Sequence, residues 1–270
     1  MSAATVLARP VTAATRWSRR AGGVLAFVVL LELLSRTGLV DAEFLPPATE
    51  ILQRAGELLL DPAFRTHAAT SLLAWAAGLG LAAAIAVPLG LLLGSVPILD
   101  AAMRSVVEFL RPIPSVALIP LVALVIGTDL RLRITLVVYA ALWPILYNTM
   151  YGLRGVDPVA KESLRSYGFG RLAVLLRVSL PSSAPFITTG LRLSAGVALI
   201  LTVSTEIVAG RGEGIGVFIF FAGLAVPARM VDILAGVFWV GLFGVLVNAL
   251  LVAADRRAFR WHHERLGART

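Results

Sequence analysis

The sequence predicts an all-α, polytopic membrane protein, and three observations carry that prediction. Hydrophobic residues make up 58% of the 270-residue chain against 15% charged, with a mean hydropathy of +0.87. A soluble domain of that length cannot bury so much apolar surface. The apolar residues fall into blocks long enough for a bilayer crossing, which takes roughly 20 helical residues for a core about 30 Å thick. Arginines gather at the ends of those blocks instead of lining one polar face, so the net charge of +8 and pI near 11.1 report membrane orientation and argue against nucleic acid as a partner. With no cysteine, disulfides, cysteine-ligated metals and thiol catalysis are excluded.

About six spans are expected. The first covers residues 22–40, with Glu32 and Arg36 four apart so that they can pair on one helix face. Arg16, Arg19 and Arg20 before an apolar run imitate a secretory signal, but Val40-Asp41-Ala42 is a poor cleavage site, so the block reads as a retained span. After Pro46-Pro47 the segment from Ala48 reads as a short surface helix. The second span, 68–94, is interrupted by Pro88; the third, 101–127, is broken by Arg111-Pro112-Ile113-Pro114 and Pro120. Spans at 132–153, 185–209 and 231–254 complete the set, and the glycines spread through them favour close helix packing. The stretch 210–227 is too short to cross and return, so it reads as a re-entrant or interfacial cap.

Three segments hold most of the cations. These are a basic tail at 1–21, the loop at 154–181 (Arg154, Lys161, Arg165, Arg171, Arg177) and a tail at 255–270 (Arg256, Arg257, Arg260, Arg265, Arg269). Six spans place all three on one side, which the positive-inside bias makes cytoplasmic, with both termini there. Asp41, Glu43, Glu50, Glu57 and Asp61 fall on the other side; Arg131 and Arg133 are exceptions to the count.

The loop at 154–181 is organised. Asp157-Pro158 starts a helix that runs to Tyr167, Gly168 and Gly170 break it, and Arg171 to Leu180 resumes helical spacing before Pro181 stops it. A helix, a glycine turn and a second helix between two spans make a compact knob suited to docking.

Glu162, the pair Ser163-Leu164, Gly168, Val178, then Leu180 and Pro181 stand at the spacing of the coupling loop in permease subunits of bacterial ABC importers, which this stretch resembles. Ser163 and Leu164 depart from the two alanines usual there. Gly190-Leu191-Arg192-Leu193 through Thr205-Glu206, with the tail Arg256 to Trp261, is similar to the sulfonate, nitrate and taurine branch; the resemblance covers roughly residues 66–261. It implies a bacterial inner-membrane permease working as a homodimer, with two ATP-binding subunits and an extracellular solute-binding protein. It assigns ATPase coupling to Glu162, Ser163, Leu164, Arg165, Tyr167, Gly168, Phe169, Leu180 and Pro181. ATP and Mg would be bound by the partner ATPase, and no cofactor is expected in this chain.

The residues themselves agree on the ATPase. Gly210-Arg211-Gly212-Glu213-Gly214-Ile215-Gly216 lacks the third glycine of a dinucleotide fingerprint, and Lys161, the one lysine, does not follow glycine as a P-loop lysine must. The glycine run reads as a flexible outer turn. His67, His262 and His263 do not stand at metal-ligand spacing. Inside the spans the ionisable groups are Glu108, Arg111, Arg192 and Glu206. Arg192 either snorkels to headgroups or braces the loop. Glu206 either lines a path or pairs with Arg211. Ser194, Thr202, Thr205 and Glu206 are candidates for the translocation path, the alternative being hydrogen bonds between helices. A transporter that works alone, as a channel or secondary carrier, is the rival reading; it requires an inverted repeat or paired mid-membrane acids, and neither is visible.

Overall fold

The computed structural model describes residues 13–259, with side chains from residue 22 onward. Arg9, Arg260, Trp261, His262, His263, Arg265 and Arg269 lie outside the described residues, as do the side chains of Arg16, Arg19 and Arg20. Every regular element among the described residues is helical: α1 Ala13–Arg36, α2 Ala48–Leu60, α3 Pro62–Ser95, α4 Pro97–Leu110, a 3-10 turn Ser115–Leu118, α5 Ile119–Ile126, α6 Leu130–Arg154, α7 Pro158–Ser166, α8 Arg171–Val174, a π-turn Leu175–Ser179, α9 Leu180–Ala209, α10 Ile215–Leu224 and α11 Met230–Ala258.

Four helices are long and apolar enough to span a membrane, and a bent pair makes five. These are α3, α6, the continuous helix Arg171–Ala209 and α11, with α4 and Ser115–Ile126 bent by 77° at their break. The broken third span is therefore present, and its cause is the Arg111 to Pro114 segment, where two prolines remove donors. The first expected span is not among the five. Its run free of charge reaches only from Ala21 to Leu31, about 16 Å of helix. Pro88 does not interrupt α3, which runs through it unbroken from Pro62 to Ser95.

α6 is the centre, packed along α3 on one side and α9 on the other. Glycines set the spacing. A Cβ at Gly90 would lie 2.7 Å from Thr149 Cβ, and one at Gly190 would lie 2.9 Å from the Pro144 carbonyl oxygen and 3.0 Å from Ile145 Cα. Backbone cannot yield as a side chain can. Gly190→Val is therefore expected to pry α9 from α6 at about 1–3 kcal/mol, read as a lower midpoint in thermal unfolding of the detergent-solubilised protein. The seam also carries polar clamps: Trp75 Nε1 donates to the Ala195 carbonyl at 3.0 Å, and Ser194 Oγ to the Ala141 carbonyl at 2.6 Å.

α2 is the expected surface helix. It buries Ala48, Ala55 and Leu58 against α3, α10 and α11, and Glu32 accepts from the Thr49 backbone N–H at its start. Glu32 also pairs with Arg36, as their spacing predicts. Arg54 Nε binds buried Asp232 of α11 at 2.6 Å, and Trp239 Nε1 donates to the Ala55 carbonyl. The Asp232 carboxylate, with Glu57 adding to it, raises the Arg54 guanidinium further above its usual range. Asp232→Leu is expected to release α2, measured as faster proteolysis between residues 37 and 61 with the spans still protected.

Candidate functional site

α6 is 25 residues long and its two ends mark opposite faces of the bundle. At its Arg154 end the chain leaves the bundle as the loop the sequence singles out. Asp157 caps α7, its side chain accepting from the Val159 N–H at 2.9 Å, with Pro158 at the first turn. α7 closes on Gly168, whose φ of +81° belongs to the left-handed region. The Gly168 N–H donates to the Arg165 carbonyl and the Phe169 N–H reaches back to the Leu164 carbonyl. Those two bonds form the Schellman closure of a helix C-terminus. Nothing lies within 4 Å of where a Gly168 Cβ would stand, so the demand for glycine comes from backbone conformation alone.

The knob is braced from within and open outward. Lys161 Nζ donates to the Leu153 carbonyl at 3.3 Å, and the Arg177 guanidinium sits 4.8 Å from the Phe169 ring centroid. Glu162, Ser163, Arg165, Tyr167, Gly168 and Phe169 are exposed, while Leu164 is half-buried. Tyr167 at 80%, Val159 at 69% and Leu172 at 68% are unusually bare for apolar side chains. A cavity of about 1030 Å³ separates the knob from the end of α3, walled by Leu91, Leu92 and Leu153 and edged by Lys161, Arg165 and Arg171.

The second arm does not stop at Pro181. α8 passes through the π-turn into α9, and the helix from Arg171 to Ala209 is continuous. The Leu180 N–H donates to the Leu175 carbonyl, five residues back. Pro181 falls just after this widened turn, within the first residues of α9 where a missing donor is tolerated. The fifth span thus begins before Pro185, and the knob's second arm is the end of that helix.

At the other face the sequence missed a site. Glu206 is fully buried and accepts from Ser71 Oγ at 2.8 Å and from the Gly216 N–H at 2.9 Å. Arg133 Nη1 stands 3.4 Å from the same carboxylate, with only 3% of that arginine side chain exposed. Arg133 also donates to the Glu213 and Arg211 carbonyls, the Ile215 N–H donates to Ser71 Oγ, and the Gly214 N–H donates to His67 Nδ1 at 2.9 Å. α3, α6 and α9 are thereby tied to the glycine run. That run is a pinned cap, not a flexible turn. Glu206 does not pair with the Arg211 side chain, because Arg133 reaches the carboxylate first and takes the Arg211 carbonyl as well. Glu206 also stands at the start of α10, where a negative charge meets the free N–H groups.

The hydroxyls of Ser194, Thr202 and Thr205 along α9 face inward. Thr202 donates to the Ala198 carbonyl and Thr205 to the Leu201 carbonyl, both within the helix, while Ser194 crosses to α6. Ser194, Thr202, Thr205 and Glu206 are each fully buried, and none presents its side chain to an open surface of this chain. Arg192, by contrast, is exposed.

This arrangement, an exposed helical knob on a bundle of apolar helices with a sealed opposite face, coincides with a known family. A model described as binding-protein-dependent transport system inner membrane component matches residues 86–260. The chain belongs to that family. The match begins within α3 and takes in the bent pair, the knob, Arg133 and Glu206, leaving α1, α2 and the first part of α3 with His67 and Ser71 outside it. The chain is 30% identical over 231 residues to the taurine transport system permease protein of Escherichia coli, covering 84% of this chain and 83% of that one. It is 28% identical over 250 residues to the bicarbonate transport system permease protein of Synechocystis, covering 86% and 88%. To the nitrate import permease protein of Leptolyngbya laminosa it is 28% identical over 211 residues, covering 75% of each. As a member of the binding-protein-dependent family it is a multi-pass membrane component of an importer, of the branch the sequence pattern resembles.

Proposed function

We propose that the chain is the permease subunit of an ATP-driven importer of a small anion, working as a symmetric pair. The observation that carries this reading is the knob: an exposed, internally braced helix and glycine turn, set through Phe169 on Arg177 against an arm that is continuous with a membrane-crossing helix. An ATPase bound to it would move α9 directly. On this reading the knob face is cytoplasmic and each copy carries one ATP-binding subunit, which binds ATP and Mg, while a solute-binding protein docks at the face of α2 and the glycine cap. Two copies are needed because so few spans cannot enclose a path; a closed pair is the simplest assembly that does. The solute class follows from the relatives, whose named cargoes are taurine, bicarbonate and nitrate.

Purification in mild detergent tests the pairing. The wild-type chain is expected to elute with an ATPase at roughly equal stoichiometry, and Tyr167→Asp, which puts a charge on the barest residue of the knob, is expected to elute alone but folded. A wild-type chain that elutes without an ATPase would reject the reading and favour a carrier that works by itself.

A further inference from the structure

The bent pair carries a row of charges to which neither the knob nor the Glu206 cap gives a role. Asp100, Arg104, Glu108 and Arg111 recur at helical spacing and so form one stripe along α4, from the knob face to the break. Three of the four charges are matched: Asp100 pairs with Arg154 at 2.6 Å and Glu108 with Arg104 at 3.4 Å. Among the described residues no carboxylate lies within ion-pair distance of Arg111. Its guanidinium lies instead 4.5 Å from the centroid of the Tyr147 ring. The Leu110 carbonyl, freed by the break, is held by the Tyr139 hydroxyl at 2.6 Å. Tyr147 is two turns from the Arg154 end of α6, which sets the Arg111 charge about 10 Å in from that end. The break itself is level with Tyr139, deeper still. A cavity of about 140 Å³ follows the stripe as far as Glu108 and the Tyr147 ring on which Arg111 rests, lined among others by Asp100, Arg104 and Arg154.

Arg104, Glu108 and Arg111 are exposed, so none of the described residues covers them. Hydrocarbon cannot cover it either, since charged side chains in a membrane face a water-filled cavity or other protein. Counting Arg154 of α6, three arginines stand against two carboxylates, so the surplus charge is positive, and the unmatched Arg111 stands at the deep end. A guanidinium is charged at any physiological pH and weakly hydrated. It can rest one face on an aromatic ring while its edge donates to the oxygens of an anion. A single exposed cation also holds an ion loosely enough to release it, as conduction requires.

We propose that the α4 stripe lines the part of the solute path nearest the knob, and that Arg111, laid on Tyr147, receives the small oxyanion there. This assignment rests on the small-anion reading above.

Two measurements test it on the assembled transporter. The chain has no cysteine, so Glu108→Cys and Leu124→Cys can be probed singly in vesicles of both orientations with a membrane-impermeant anionic methanethiosulfonate, the adduct being read on this chain by mass. The Glu108→Cys protein is expected to be modified from the knob side, and more slowly when nitrate, bicarbonate or methanesulfonate is present. Leu124→Cys, on the apolar face of α5, is expected to resist. Resistance at Glu108→Cys, or equal reaction at both positions, overturns the aqueous stripe. In proteoliposomes with the ATPase and binding protein, uptake of the same three anions is compared for wild type, Arg111→Lys and Arg111→Gln. Arg111→Gln is expected to lower import of whichever anion the wild type takes by about tenfold or more, and Arg111→Lys to keep it within about threefold. Wild-type import that Arg111→Gln leaves within about twofold overturns the assignment and spares the small-anion reading. Import of none of the three by wild type overturns both. Should Arg111→Gln fail to assemble, the labelling decides: modification of Glu108→Cys that none of the three anions slows overturns the assignment.

Discussion

Replacing Glu206 by alanine is expected to cost the folded protein about 3–5 kcal/mol, because it strands Arg133 as an uncompensated buried cation. Among the described residues Glu206 is the one carboxylate paired with Arg133, whose other bonds go to the Arg211 and Glu213 carbonyls. The same change removes the acceptor of Ser71 Oγ and of the Gly216 N–H. Unfolding of the purified protein in detergent measures the loss. Removing both charges together, Arg133→Met with Glu206→Leu, should cost less than the sum of the two single changes, since the penalty lies in the partner left behind. Additive losses, or a Glu206→Ala protein as stable as wild type, would mean that the pair does not hold the cap down.

The second large effect is expected at the knob and concerns transport instead of folding. Gly168→Val forces a β-branched residue into a left-handed conformation, at about 1–2 kcal/mol for the backbone alone. With no neighbour within 4 Å to clash, the bundle should fold and only the Schellman closure should open. Uptake driven by ATP is expected to fall by about tenfold or more, with hydrolysis no longer responding to the binding protein. Gly168→Asn is expected to keep most of the activity, because asparagine tolerates that conformation. Glu162→Gln separates docking from folding further. Glu162 is exposed and no ion pair in the described residues uses it, so any loss of uptake there comes from a lost contact with another chain. Full uptake in Gly168→Val and Glu162→Gln alike would reject the docking role of α7.

The knob was legible in the sequence because its signals are local: Asp157-Pro158 for the start, Gly168 for the stop, and no breaker between. The helices α6 and α11 and the bent pair were legible for the same reason, being long apolar runs with proline where the path breaks. The Glu206 cluster was not. Arg133 and Glu206 are 73 residues apart, and each alone reads as a charge near a span's border. One available sign was passed over: Arg133 stands against the positive-inside bias at the same face as Glu206, and an out-of-place cation near an intramembrane acid is a candidate pair. Pro181 misled for a different reason. Proline ends an α-helix whose donors are all in use, but a π-turn places it where a donor is dispensable, and no residue pattern announces that turn.

The uninterrupted helix from Arg171 to Ala209 has a geometric corollary. Its 39 residues make a rod of about 58 Å, gripped at one end by the knob and ending at the other beside Glu206 and the glycine cap. Swinging such a rod by about 5° about one end carries the far tip roughly 5 Å, one helical turn. A swing that small at the knob end is enough to shear hydrogen bonds 2.8–2.9 Å long on the opposite surface. On the proposed reading, the seal over the far mouth and the ATPase's hold on the knob are two ends of a single lever.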